Sequence, residues 1–226
     1  MKKGMASREF YKKRFSKILP PFLVFSVLYC TLPLLWGQID LNTGLNDLIR
    51  IPLNFPSLAG HLWFMFPLFS LYLFIPVISP WLEKASKKEE RFFIILFLIS
   101  TTMPYLNRWF GEVWGECFWN EYHLLWYFSG YLGYLVMAHY IRVHLDWSKS
   151  RKMAIGAALA VVGAVATILS YYVQAIPGKI LNTPELEIGW AFCTINVVCL
   201  TAGVFMMFSC IGQVSAPRLV TRLSEL

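Results

Sequence analysis

Between Arg50 and Glu83 the chain carries no formal charge. The stretch includes Gly60-His61-Leu62-Trp63-Phe64-Met65 and Ser70-Leu71-Tyr72-Leu73-Phe74-Ile75-Pro76, and its most polar large side chains are His61, Trp63 and Tyr72. A bilayer's hydrocarbon core is about 30 Å thick and takes about 20 apolar residues of helix to cross. A helix lying in water needs a polar face, and this stretch has none. It reads as a membrane span, and the rest of the chain has to be organised around it.

Composition agrees. Hydrophobic residues make up 57% of the chain and charged residues only 15%, where soluble domains carry about 25% charged residues. The net charge of +7 does not point to nucleic acid, because the basic residues sit between apolar runs instead of forming a stripe with stacking aromatics. Cys30, Cys117, Cys193, Cys199 and Cys210 show no paired spacing and no Cys-x-x-Cys, so free, mostly buried thiols are expected. The basic N-terminus leads into an apolar run without a small-residue cleavage site, the pattern of an anchor and not of a removed signal peptide.

Six uncharged runs follow one another: Ile18–Ile39, Ile51–Leu82, Phe92–Asn107, Tyr122–Ile141, Met153–Gly178 and Ile188–Pro217. The third is short for a span and is expected to continue through Trp109 and Phe110 or to lie tilted. No repeat or soluble segment separates the runs. The expected fold is all-α: one polytopic helical membrane domain over residues 1–226, with about six transmembrane helices. Its connections set the orientation. Lys2, Lys3, Arg8, Lys12, Lys13, Arg14 and Lys17 precede the first run, and Lys84, Lys87, Lys88 and Arg91 follow the second. Arg142, Lys149, Arg151 and Lys152 follow the fourth, and Arg218 and Arg222 follow the sixth. The opposite side keeps only Arg50, Arg108 and Lys179. Positive-inside bias then places both termini in the cytosol.

Along the fifth run Gly156, Ala160, Ala164 and Thr167 recur at helical spacing, with Gly163 beside them. Small residues on one face let helix backbones approach closely in lipid, so this face is read as packing.

Three constellations are candidates for chemistry. The connection Asn107–Glu121 carries Glu112, Glu116 and Glu121 among Trp109, Phe110, Trp114, Phe118 and Trp119. It reads either as an interfacial aromatic belt or as a sugar pocket, where indole faces stack on C–H surfaces and carboxylates accept from hydroxyls. His61 and His123 fall at outer ends of the second and fourth runs, near Trp63 and Trp126. Each either donates to a backbone carbonyl or serves an acceptor hydroxyl, for which an imidazole pKa near about 6.5 is suited. Glu121 beside His123 is a candidate to orient that ring. The third is the basic lead-in Lys12-Lys13-Arg14-Phe15-Ser16-Lys17-Ile18-Leu19-Pro20. It suffices for topology and for anionic lipid, at about 1 kcal/mol per cation. His139 and His144 are five apart, about 140° around a helix, and are not expected to face one ligand. No metal site is expected, and no phosphate loop, Gly-x-Ser-x-Gly elbow or His-Glu-x-x-His occurs.

The residues Gly60–Met65 and Ser70–Pro76, with Phe128-Ser129-Gly130-Tyr131-Leu132-Gly133-Tyr134, resemble segments of the acyltransferase-3 family, integral-membrane acyltransferases that acylate surface carbohydrate. Lys13-Arg14-Phe15-Ser16-Lys17-Ile18-Leu19-Pro20 is similar to the family's basic segment, with Lys17 where an arginine is usual. The resemblance implies Lys13, Arg14 and Lys17 at the phosphates of a cytosolic acyl-CoA, Arg14 foremost because its planar fork suits phosphate. His61, Trp63, Glu121 and His123 are the corresponding expectation for the saccharide acceptor. It also implies O-acetylation or related acylation of a cell-surface or lipid-linked saccharide, in the bacterial inner membrane. Acyl-CoA would be a donor substrate, with no bound cofactor and no nucleic-acid partner. The similarity runs from about Phe10 to the C-terminus. The family's first two spans, including one with an arginine and the histidine that activates the acceptor, and its last span have no counterpart. The expectation is thus a central fragment with little activity alone and an unassigned catalytic base. The alternatives are a facilitative exporter of a saccharide or small molecule, which the absence of Asp, Glu, Lys and Arg from the six runs argues is not ion-coupled, and an inactive membrane scaffold.

Overall fold

The computed structural model describes residues 6–174 and 187–211, and among these it is helical with no strand. The ends of the fifth and sixth apolar runs, with Lys2, Lys3, Lys179, Arg218 and Arg222, lie outside the described residues. The chain divides into two units, residues 1–84 and 85–226.

In the first unit, α1 (Ser7–Leu35) contains both the basic lead-in and the first apolar run. It continues through Pro20, Pro21 and Pro33, which a helix in lipid tolerates when neighbouring groups re-satisfy the freed carbonyls. α2 (Leu41–Arg50) is capped by Asp40, whose carboxylate accepts from the Thr43 N–H at 3.1 Å. Gly44 brings α2 against α1: a Cβ there would stand 3.0 Å from the Cys30 carbonyl. The chain leaves α2 in a non-helical segment, because Pro56 disfavours helix at Phe55 and Asp47 holds Ser57 by both its N–H and its hydroxyl, at 2.8 and 2.6 Å. A 3-10 turn over Gly60–Phe64 then feeds α3 (Met65–Lys84).

α1 and α3 run antiparallel, joined by a ladder of rings. Phe10 meets Tyr72, Phe15 meets Phe69, Phe22 meets Phe66 and Phe69, and Tyr29 meets His61, with centroids 5.1–6.3 Å apart. Such aromatic pairs contribute about 0.5–1.5 kcal/mol each beyond their buried area. Phe22, Cys30, Ile51, Ala59, Leu62 and Met65 form the core beneath them.

In the second unit, α4 (Lys87–Ser100) opens with a capping box: Ser86 accepts from the Glu89 N–H, and Glu89 accepts from the Ser86 N–H. The third apolar run does not stay one helix. Ser100, Thr101 and Thr102 turn their hydroxyls back to the carbonyls of Phe97, Leu98 and Ile99, each at 2.7 Å, and Pro104 has no N–H for the ladder. Those competing bonds end α4 and start α5 (Met103–Phe110) as a separate helix. The fourth run becomes helical only at α6 (Leu132–Val143), after a 3-10 turn over Trp126–Phe128, extended Ser129 and Gly130 at φ +81°. α7 (Lys149–Gln174) and α8 (Ile195–Phe208) complete the described helices.

Among the described residues, three helices are long and apolar enough to cross a membrane: Ser7–Leu35, Gly60–Lys84 and Lys149–Val173. The third, fourth and sixth runs instead give α4 with α5, α6 and α8, which are 14, 8, 12 and 14 residues long. At 1.5 Å per residue α6 reaches only about 18 Å. Only 11% of the apolar window of α7 is buried, and Val161, Val162, Val165, Ile168 and Leu169 are exposed. Soluble proteins rarely present so continuous an apolar surface; lipid is its natural solvent.

The small-residue face of α7 packs as the sequence implies. A Cβ at Gly163 would meet the Asn196 carbonyl at 2.6 Å, and one at Gly156 the Gly203 carbonyl at 2.9 Å. Asn196 ties three helices together: it accepts from the Tyr105 hydroxyl at 2.8 Å and donates to Thr167 Oγ1 at 2.8 Å and to the Gly189 carbonyl at 2.7 Å. Phe97, Met137, Ile141, Val198, Ala202 and Met206 make this unit's core. All five cysteines are free, but only Cys30 is buried and the others are half-buried.

Candidate functional site

The basic lead-in is helical, so its cations project from the first three turns of α1. Lys13 and Lys17 lie four apart on one exposed face. Arg14 sits with its guanidinium carbon 5.8 Å from the ring centres of both Phe10 and Tyr72. Two aromatic rings thus lie within cation–π reach of the guanidinium, whose planar fork is suited to bidentate phosphate. Tyr11 donates to the Leu73 carbonyl at 3.0 Å and pins this end of α1 to α3. A shallow recess of about 510 Å³, lined by Tyr11, Lys12, Phe15, Ser16, Leu19 and Pro20, opens beside it.

At the other end of the same pair, the ring of exposed His61 stands edge-on to Tyr29, with centroids 5.1 Å apart. Tyr29 in turn lines an apolar cavity of about 490 Å³ with Phe25, Leu28, Trp36, Gln38 and Leu58. Trp63 is half-buried two residues along the same turn. Arg14 and Tyr29 are fifteen residues apart on one helix, about 22 Å along its axis.

Glu121 and His123 belong to the second unit, in the loop between α5 and α6. There Glu116 accepts from Asn107 Nδ2 at 2.6 Å, and Cys117 and Asn120 exchange backbone bonds at 2.9 Å. His123 Nδ1 accepts from the Leu125 N–H at 3.2 Å, which leaves the proton of a neutral ring on Nε2. This loop lies outside the membrane-crossing helices; burial lowers the His123 pKa, and the Glu116 charge opposes that shift. Orientation by the Glu121 side chain is not what the fold provides: Glu121 accepts from the His123 N–H through its backbone carbonyl at 3.0 Å, while its side chain is exposed. Trp126 packs edge-on against the imidazole at 5.9 Å. Trp109, Phe118, Trp119 and Tyr127 are exposed nearby, the arrangement both the belt and the sugar pocket require.

The expectation that His139 and His144 face different ways is overturned. Both rings meet the same carboxylate: His139 Nδ1 is 3.1 Å from each Glu90 oxygen, and His144 Nε2 is 3.1 Å from Oε1. The angle of 140° assumes a continuous helix, but α6 ends at Val143. His144 is its cap at φ −110°, ψ −8°, with its N–H donating to the Tyr140 carbonyl, and the ring swings back toward His139. Glu90 itself had no signal in the sequence; it is one acid in a charged turn, Lys87-Lys88-Glu89-Glu90-Arg91. In the fold it is completely buried.

A family model described as an acyltransferase domain, Acyl_transf_3, matches residues 1–226. Comparisons with curated proteins and with solved structures find no match.

Proposed function

The chain belongs to the acyltransferase-3 family, and from that membership we propose that it moves an acyl group, acetyl in the simplest case, from cytosolic acyl-CoA to a hydroxyl of a cell-surface or lipid-linked saccharide. An acyltransferase domain with three helices apolar enough to span a bilayer is a membrane acyltransferase. The observation that carries the finer reading is the antiparallel α1–α3 pair, with a cationic patch at one end and a histidine beside a cavity at the other.

In this reading Arg14 takes a phosphate of the donor bidentately, with Lys13 and Lys17 as flanking point charges. The alternating basic connections orient that end toward the cytosol of a bacterial inner membrane. The pantetheine arm runs along α1 toward His61. Trp63 and Tyr29 offer aromatic faces to a sugar ring. The acceptor hydroxyl oxygen attacks the thioester carbonyl carbon, His61 receives the hydroxyl proton, and the C–S bond breaks. The leaving thiolate then takes up that proton and departs as free CoA. Holding both reactants in line is the larger part of such catalysis, since effective molarities for well-oriented groups are very high.

Sidedness tests this. Inside-out membrane vesicles given radiolabelled acetyl-CoA should label glycan, and sealed right-side-out vesicles should label it only after permeabilisation. Equal labelling of sealed vesicles of both orientations would overturn the cytosolic donor site.

A further inference from the structure

We propose that Glu90, His139 and His144 form a binding site for a divalent transition-metal ion, zinc by preference, which staples the start of α4 to the end of α6. The proposal stands apart from the acyltransferase reading, and its test does not read acyl transfer.

The ligand set comes first. One carboxylate oxygen and two imidazole nitrogens lie within 4.8 Å of one another. Zinc bonds of about 2.0–2.1 Å to tetrahedrally disposed N and O ligands put those ligands about 3.3 Å apart. The Glu90–His139 and Glu90–His144 separations are both 3.1 Å, and all three ligand atoms fall within 4.8 Å, so an ion draws the two imidazoles toward each other to reach the tetrahedral spacing. Two imidazoles and a carboxylate suit zinc, whereas magnesium and calcium take oxygen ligands. With no thiolate in the set, copper(I) is disfavoured.

Burial and charge support the same assignment. The Glu90 side chain is 0% exposed, and its carboxylate bonds are to imidazoles, which are neutral unless protonated. An ionised carboxylate removed from water needs a compensating cation, and a dication held by neutral imidazoles supplies one. The rings themselves are 30% and 20% exposed, which gives an ion a route in and leaves a fourth position for water. Three protein ligands with one open position is the arrangement of zinc sites that remain reactive.

The site is also preorganised. Glu90 stands in the first turn of α4, fixed by the Ser86–Glu89 capping box and by its own N–H to the Ser86 carbonyl at 3.1 Å. His139 projects from α6, one turn before its end. Beyond His144, Leu145 and Trp147 pack against the core of the unit, and Arg151 lies 4.6 Å from the Trp147 ring centre. The turn presenting His144 is therefore anchored on both sides. His139 Nε2 and His144 Nδ1 remain for the outer bonds that metal-bound histidines make.

The experiment uses the full chain, purified in detergent, stripped with chelator and titrated with zinc or cobalt(II). One equivalent of zinc retained after dialysis, with a tetrahedral cobalt spectrum and a higher unfolding temperature, is expected. Glu90→Gln and His144→Ala should weaken zinc by more than about 100-fold, since losing outer-shell partners alone costs 10–100-fold; His123→Ala should leave zinc retention unchanged. Because the alanine variant removes packing as well, Glu90→Gln, matched in size and shape, is the decisive variant. Failure of the wild-type chain to retain zinc, or equal retention by Glu90→Gln, would overturn the site and leave a hydrogen-bonded trio.

Discussion

Replacing Gly163 by alanine sets helix propensity against packing. Propensity alone favours the substitution by about 1 kcal/mol, because glycine is the poorer helix former. The new Cβ, however, would point into backbone. It would stand 2.6 Å from the Asn196 carbonyl oxygen and 2.8 Å from Leu200 Cα, and it would also overlap the Leu200 N–H, where ordinary contact begins at 3.4 Å. Backbone cannot rotate out of the way, so α7 and α8 must separate locally by nearly an ångström. Overpacking of this kind costs about 1–3 kcal/mol. Separation also stretches the Asn196 bond to Thr167, worth about 0.6 kcal/mol in a membrane protein. The sum is a net loss of about 1.5 kcal/mol. Gly156→Ala should cost less, because one of its two nearest neighbours is the flexible Met207 side chain. Unfolding by SDS in mixed micelles, followed by circular dichroism, measures both. Gly163→Ala as stable as the wild type, or more so, would refute the close α7–α8 approach.

Three further outcomes are expected. A variant with Cys117 as its sole cysteine should react with a membrane-impermeant maleimide in intact cells; protection until permeabilisation would reverse the proposed topology. Arg14→Lys should raise KM for acyl-CoA about 5–30-fold with kcat little changed, since a bidentate phosphate contact worth about 1–2 kcal/mol becomes a single one; an unchanged KM would remove Arg14 from the donor site. The Glu89 pKa is lowered by its bonds from Ser86, so its support of the first turn of α4 is complete above about pH 4.3, the unfolded value, and is lost as pH falls through the lower folded value. Hydrogen exchange at that turn should show this loss, and Glu89→Gln should abolish the pH dependence.

The sequence resolves what depends on charge and periodicity. The uncharged run before Glu83 becomes α3, and the glycines and alanines of the fifth run become the α7–α8 seam. It does not resolve where apolar runs break. Ser100, Thr101 and Thr102 look compatible with a helix until all three hydroxyls turn back on it together, and the fourth run reads as a span until Gly130 takes positive φ. Helix ends also hide the Glu90 cluster: a single residue beyond Val143 brings together two histidines that a helical wheel separates. Arg14 stands out in the sequence only through its basic neighbours and the family resemblance. Its seat between Phe10 and Tyr72, 62 positions apart in the chain, emerges only when α3 folds back along α1.

The most direct test of the proposed reaction is made in membranes from the natural source, with His61→Ala introduced at the gene's own locus and radiolabelled acetyl-CoA as donor. The expected result is glycan labelling reduced at least tenfold, with acetyl-CoA affinity and membrane abundance near wild type. Labelling at the wild-type rate would contradict a role for His61 in the transfer, and with it the placement of the acceptor at that end of the α1–α3 pair.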